Sequence, residues 1–159
     1  MKNKKTIAMK LLEGKKVAYE TFSYPASLRD AQEVAAAVGW PAEQVFKTLV
    51  VPRPKQGKPM LVMIAADRQL DLKKLAKAVK EKKLKMATQR EAERLTGLQV
   101  GGISALALLN RGFDIYLDDS AQEHTWIIIS AGQRGLQIKL AVSDLVAVSG
   151  ATRVDVSTF

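Results

Sequence analysis

Val45-Phe46-Lys47-Thr48-Leu49-Val50-Val51, then Pro52-Arg53-Pro54-Lys55-Gln56-Gly57-Lys58-Pro59, then Met60-Leu61-Val62-Met63-Ile64-Ala65 is the stretch that decides the fold. Two short apolar runs, the first rich in β-branched residues, flank a connection with three prolines and a glycine. Runs of that length and composition read as strands, and the Pro/Gly-rich piece as the turn between them. The reading is a strand over 45–51 with an antiparallel partner over 60–65. The same grammar recurs near the C-terminus: Trp126–Ser130 and Leu136–Leu140 read as strands joined by the hairpin-like loop Ala131-Gly132-Gln133-Arg134-Gly135. Val17–Phe22 alternates as a strand does, and Ile115–Leu117 is a further short strand.

Helical segments separate these strands. Segment 4–13 places Ile7, Leu11 and Leu12 near helical spacing and ends at Gly14. Asp30 reads as an N-cap with Glu33 in the capping-box position, opening a helix that carries Val34, Ala35 and Val38 and stops at Gly39. Asp71 caps a Lys-rich helix with the apolar stripe Leu72, Leu75, Ala76 and Val79. Thr88, with Glu91 three residues on, opens another helix; Leu98–Leu108 reads as a glycine-containing loop, and Ser143-Asp144 begins a last short helix. Strands that occur both in adjacent hairpins and alternating with helices predict an α+β fold around a mixed sheet, not a doubly wound parallel one.

At 159 residues, 47% hydrophobic and 26% charged, the chain reads as one soluble domain over residues 1–159. It has no cysteine, which excludes a Cys nucleophile, a disulfide and a Cys zinc site. One histidine, His124, cannot build the His-rich shell of a typical catalytic zinc, and any Ser-His-Asp triad would have to run through it. Its place beside Glu123 and Thr125 reads as surface. Asp118-Asp119 reads as a solvated acidic turn, so no metal and no cofactor is expected. The apolar start Thr6-Ile7-Ala8-Met9 is too short for a signal peptide, and no run approaches a membrane span, so a cytoplasmic location and no membrane contact are expected.

The net charge is +9, and it is clustered. Between Asp71 and Lys85 stand Lys73, Lys74, Lys77, Lys80, Lys82, Lys83 and Lys85; the first sixteen residues add Lys2, Lys4, Lys5, Lys10, Lys15 and Lys16. Such clusters are the footprint of a polyanion partner or a solvated helix face. The absence of Trp and Phe from the Lys-rich stretch argues against a membrane surface.

Three segments could carry chemistry. Period-two alternation puts Lys47 on one strand face with Leu49 and Val51, where a cation must find a partner or a cleft, or else snorkel from an edge strand. Burial would lower its pKa and suit it to act as donor, base or anion clamp. Gly101-Gly102-Ile103-Ser104 allows a close backbone approach with exposed N–H groups, or is a plain turn; it lacks the Gly-Lys-Ser/Thr of a Walker A loop. Ser130-Ala131-Gly132-Gln133-Arg134-Gly135 sets a hydroxyl and a guanidinium around two glycines.

Taken in order, Phe46-Lys47-Thr48-Leu49, Val100-Gly101-Gly102-Ile103-Ser104, and Ser130-Ala131-Gly132-Gln133-Arg134-Gly135-Leu136 followed by Asp144-Leu145 resemble the YbaK/EbsC family of aminoacyl-tRNA deacylases, which is related to the editing domain of bacterial prolyl-tRNA synthetases. The resemblance covers nearly the whole chain. It implies a mostly antiparallel sheet or barrel-like core flanked by helices, and hydrolysis of a mischarged aminoacyl ester, Cys-tRNA(Pro) above all, with Ala-tRNA(Pro) or tRNA binding without catalysis as alternatives. It implies that Lys47 binds the terminal-adenosine and ester region, and that Gly101 and Gly102 offer backbone N–H to the ester carbonyl oxygen. Phe22, Tyr24, Thr48, Ser104, Ser130, Gly132 and Arg134 fall on pocket positions, and Lys73, Lys74, Lys77 and Lys80 would meet tRNA. The implied partners are aminoacyl-tRNA, tRNA(Pro) in particular, and a prolyl-tRNA synthetase. In the Cys-specific branch the nucleophile is the thiol of the substrate itself; elsewhere it is water. Two positions depart from the family pattern: Ala105 and Ala107 stand where Pro and Gly are usual, and Phe22 stands where a Tyr is usual, with Tyr24 two residues on.

Overall fold

The computed structural model describes residues 5–55 and 57–159. Lys2, Lys4, the first residue of the expected 4–13 helix, and Gln56 of the Pro-rich connection lie outside the described residues.

The Lys47 hairpin forms as its sequence demands. Strand β2 (Phe46–Val51) pairs antiparallel with β3 (Met60–Ala65), Lys47 opposite Ile64 and Thr48 opposite Met63. All six side chains of β3 are buried, so this strand is covered on both faces, as its unbroken apolar run requires. β5 (Asp114–Asp118) lies parallel to β3 on its other side, and β8 (Thr152–Val154) parallel to β5, completing a four-stranded sheet in the order β2-β3-β5-β8. The second hairpin, β6 (Trp126–Ser130) with β7 (Leu136–Ala141), adds β1 (Glu20–Ser23) on the free side of β7 to give a three-stranded antiparallel sheet. Among the described residues an isolated parallel bridge between Val45 and Ile128 links the backbones of the two sheets. This arrangement is the expected α+β fold with mostly antiparallel pairing, although the sheets do not close into a barrel. Two short strands, β4 (Gln69–Leu70) and β9 (Ser157–Thr158), pair with each other.

The larger core lies where Phe46, Val50, Leu61 and Met63 meet Ile127, Ile129, Ile138 and Leu140 of the second sheet. Helix α1 (Ile7–Gly14) closes it with Ala8, Met9 and Leu12. A second core forms on the opposite face of β2–β3, where Val51, Met60, Val62 and Ile64 pack against Leu75 and Ala76 of α3 (Leu72–Val79). The expected N-caps are present: Asp30 accepts from Gln32 N–H at the start of α2 (Ala31–Val38), without the capping box that Glu33 suggested, and Asp71 accepts from Lys73 and Lys74 N–H. Thr88 and Glu91 form a reciprocal capping box on α4 (Gln89–Thr96). The last helix, α5, runs Val142–Ser149.

Several boundaries move. Gly14 is the last residue of α1 rather than a residue beyond it, and Val17 N–H donates to Leu12 C=O, so the first strand begins at Glu20 rather than Val17. The expected loop 98–108 ends in a 3-10 turn over Leu106–Arg111. Asp118, expected in a solvated turn, is buried: it accepts from Ser120, from Val156 N–H and from Ser157 Oγ. Burial raises its pKa, but these hydrogen bonds outweigh that and hold it below the ordinary carboxylate value. No described helix is long and apolar enough to cross a membrane.

Candidate active site

A cleft of about 60 Å³ opens where β2, the Gly101-Gly102 loop and the β6–β7 hairpin converge, with the start of α2 as a further wall. That volume holds a few water molecules or one small side chain. Lys47, Thr48, Tyr24, Gly101, Ser130 and Gln137 line it. Five of these six are residues expected from the sequence; Gln137 is not.

Lys47 is both things its strand allowed, a residue on the edge strand of the four-stranded sheet and a wall of the cleft. It is half-buried, and burial pushes its ammonium below the ordinary lysine pKa; the carboxylates of Asp30 and Asp67 pull the other way without restoring it. The cleft therefore holds a cation that is poorly hydrated and available to a negative or polar ligand.

The glycine loop is tied down on several sides. Arg134 Nε donates to Val100 C=O at 2.7 Å, and Val100 N–H donates to Glu93 Oε2 at 2.8 Å. Tyr24 OH donates to Gly101 C=O at 3.4 Å, and Gly102 N–H donates to Gln99 C=O at 2.8 Å. Gly101, with φ of +93°, keeps a backbone N–H that has no partner among the described residues. Of the two glycines, then, only Gly101 has an N–H to offer a ligand. Gly102 has another job: a Cβ there would lie 2.8 Å from Arg134 N and 2.9 Å from Gln133 Cα, so its bare backbone lets the hairpin loop close onto the glycine loop.

The remaining expected residues divide into cleft and support. Ser130 is buried, lines the cleft, and its Oγ accepts from Gly132 N–H at 3.1 Å, which leaves the hydroxyl proton to give. Gly132, with φ of +105°, makes the turn that brings this about. Arg134 is committed to Val100, with Glu93 at 4.0 Å, so it supports the glycine loop rather than reaching into the cleft. Ser104 is buried, does not line the cleft, and its Oγ accepts from Ala107 N–H at 3.3 Å, bracing the turn that follows. Phe22 packs edge-on against Trp40, ring centroids 6.2 Å apart, while Tyr24 brings a hydroxyl to the cleft wall. Lys73, Lys77 and Lys80 are exposed on α3 or at its end, away from the cleft lining; Lys74 donates to Asp155 and to Ser157 C=O, both at 3.1 Å.

Gln137 stands on β7 between Phe22 of β1 and Ser130 of β6. It is 5% exposed, and its Oε1 has no hydrogen-bond partner among the described residues. A buried acceptor left unmatched costs about 1–3 kcal/mol. Its signal was in the sequence, a polar residue inside Leu136–Leu140, but alternation with Lys139 marked that face as solvent.

A scan against family models matches residues 26–148 to the aminoacyl-tRNA editing domain. A candidate Cys-tRNA(Pro)/Cys-tRNA(Cys) deacylase, EbsC of Enterococcus faecalis, is 36% identical over 156 residues, covering 97% of this chain and 94% of that protein. A proline–tRNA ligase of Caldicellulosiruptor bescii is 23% identical over 116 residues, 73% of this chain but 19% of the ligase. Among solved structures, a candidate trans-editing enzyme for prolyl-tRNA synthetase superposes with a TM-score of 0.80 at 26% identity, covering 96% of each chain. By the span of the domain match and the near full-length likeness to EbsC, the chain belongs to the aminoacyl-tRNA editing domain family.

Proposed function

We propose that this protein is a trans-editing deacylase that hydrolyses the ester of mischarged aminoacyl-tRNA, with Cys-tRNA(Pro) as its substrate. The observation that carries the reading is the meeting, in one small cleft, of the under-hydrated Lys47 ammonium and the unpartnered Gly101 N–H. A preorganised N–H aimed at a carbonyl oxygen stabilises the negative charge that develops there during attack. Lys47 holds the terminal nucleotide and its ester against that donor. The Ser130 hydroxyl and Gln137 Oε1 orient the aminoacyl group, Gln137 by accepting from its α-ammonium.

The family resemblance implies a nucleophile that the enzyme does not supply; the chain has no cysteine, and His124 lies outside the cleft lining. For a cysteinyl ester that nucleophile is the substrate's own thiol: sulfur bonds to the carbonyl carbon, the carbon–oxygen bond to the ribose breaks, the ribose oxygen takes up the thiol proton, and water then opens the released thiolactone to free cysteine. Holding such a reaction in its near-attack geometry is worth up to about 7–11 kcal/mol in well-oriented cases. The likeness to EbsC supports cysteine as the amino acid, and the match to a proline–tRNA ligase supports tRNA(Pro) as the carrier and a prolyl-tRNA synthetase as partner. Lys73, Lys77 and Lys80 add affinity for the tRNA body.

Deacylation of Cys-, Ala- and Pro-charged tRNA(Pro) by the wild-type protein tests the reading. Cys-tRNA(Pro) is expected to be cleared fastest and Pro-tRNA(Pro) spared. Preferential loss of Ala-tRNA(Pro) would assign the alternative substrate, and tight tRNA binding without loss of any ester would leave a binding module.

A further inference from the structure

A groove leads out of the cleft. Thr48, Gly101 and Ile103 line both the cleft and a second hollow of about 180 Å³ that runs over Val50 and the start of α4. Met86 then joins that hollow to a third, of about 450 Å³, walled by Arg53, Lys83, Lys85 and Glu91 with Pro52 and Pro54. The three hollows adjoin in a row from the cleft to a basic outer end, with Met86 at the boundary of the last two.

The chain holds that outer end in place. Residues 80–88 wrap the edge of β2: Leu84 is buried in the second core, and Ala87 N–H donates to Val50 C=O at 3.1 Å. Lys83 and Lys85 flank the buried Leu84 and both face outward, exposed. Met86 is 39% exposed. Of the other charges in the groove, Arg53 is paired with Asp114, and Glu91 accepts from Thr88 N–H at 3.1 Å. Lys83 and Lys85 make no ion pair among the described residues.

We infer that this groove takes the single-stranded 3′ end of the tRNA, its phosphates on Lys83 and Lys85 and a base against Met86. The inference rests on the deacylase reading for the position of the terminal ester. A cationic groove with a soft apolar platform is how single strands are bound without sequence readout, phosphates by charge and base faces by contact. Continuity selects the strand over an acidic peptide: the nucleotides next to the ester have to leave the cleft, and this row of hollows begins at Thr48 and Gly101. The lysines of α3 line none of these three hollows; Lys73 shares only a separate hollow with Lys83, on the face of β2–β3 where α3 packs.

The test uses the full chain and a short fluorescent single-stranded RNA ending in CCA. Three proteins are compared: wild type, Lys83→Ala/Lys85→Ala, and Lys10→Ala/Lys15→Ala, which removes the same charge from the region of α1. The first pair is expected to weaken binding about tenfold and to flatten the slope of log affinity against log salt by about 1.4, two contacts at about 0.7 each. The second pair is expected to change affinity less than about twofold. On aminoacyl-tRNA the Lys83/Lys85 variant raises KM, whereas turnover of the same amino acid on adenosine alone is unchanged. Equal weakening by both pairs, no weakening by the first, or a parallel loss on aminoacyl-adenosine overturns the groove. If wild type cleaves neither ester yet the RNA-binding difference holds, the groove stands and the deacylase reading falls.

Discussion

At Lys47 burial favours the neutral amine, so between its lowered pKa and the unfolded lysine value of about 10.4 the unfolded chain binds more protons than the folded one. Stability at this position is therefore lowest below the folded pKa and recovers as pH rises to about 10.4. Lys47→Met is expected to raise Tm by a few degrees at pH 7, with the advantage shrinking as pH climbs toward 10.4, while activity is lost. Thermal melts across pH check this, and a lower Tm at pH 7 would mean that Asp30 and Asp67 outweigh burial. Gln137→Leu is expected to act the same way, adding about 1–2 kcal/mol in urea unfolding by removing an unmatched acceptor while kcat/KM falls. Residues that cost stability and sit in one cleft are the mark of a site shaped for a ligand. Lys47 was legible because a cation in an apolar strand is conspicuous. Gln137 was not, since a neutral amide alternating with Lys139 looks like an ordinary wet face, and only its burial at the cleft wall shows otherwise.

The elements matter through two loops locked to each other. Arg134 reaches from the β6–β7 hairpin to Val100 C=O, and the bare backbone of Gly102 lets the two loops meet. Arg134→Lys keeps the charge but loses the planar Nε donor. It is expected to lower kcat by about tenfold or more through misplacement of Gly101, with KM and Tm little changed. A fall in KM-controlled binding with kcat intact would instead put Arg134 on the substrate. The sequence showed that these glycines and this arginine occur in order, but not that they touch, because that contact joins residues about thirty apart in the chain. The helix starts were readable from Asp30, Asp71 and Thr88, whose side chains cap locally. The short strands β4, β8 and β9 were not, since two or three residues carry no period and exist only through pairing, β4 with β9 and β8 with β5.

In the whole molecule, the two sheets share one core, and the cleft lies at their junction between β2 and the β6–β7 hairpin. The antiparallel hairpins that defined the fold in the sequence are thus also the walls of the site, which is why fold and site were legible together. The positive charge pointed to a polyanion, but composition could not tell which lysines lie near the cleft; Lys83 and Lys85, on the path of residues 80–88 around the edge of β2, line the outer hollow of the row that adjoins it, and the lysines of α3 do not. We propose that this cleft, through Lys47 and Gly101, hydrolyses an aminoacyl ester on tRNA. The most direct measurement is the first-order loss of Cys-tRNA(Pro) with wild type and with Lys47→Ala at equal enzyme concentration. Loss well above the spontaneous rate is expected with wild type, and a fall of about 100-fold or more with Lys47→Ala. A wild-type rate no faster than spontaneous hydrolysis, or a Lys47→Ala protein as active as wild type, would contradict it.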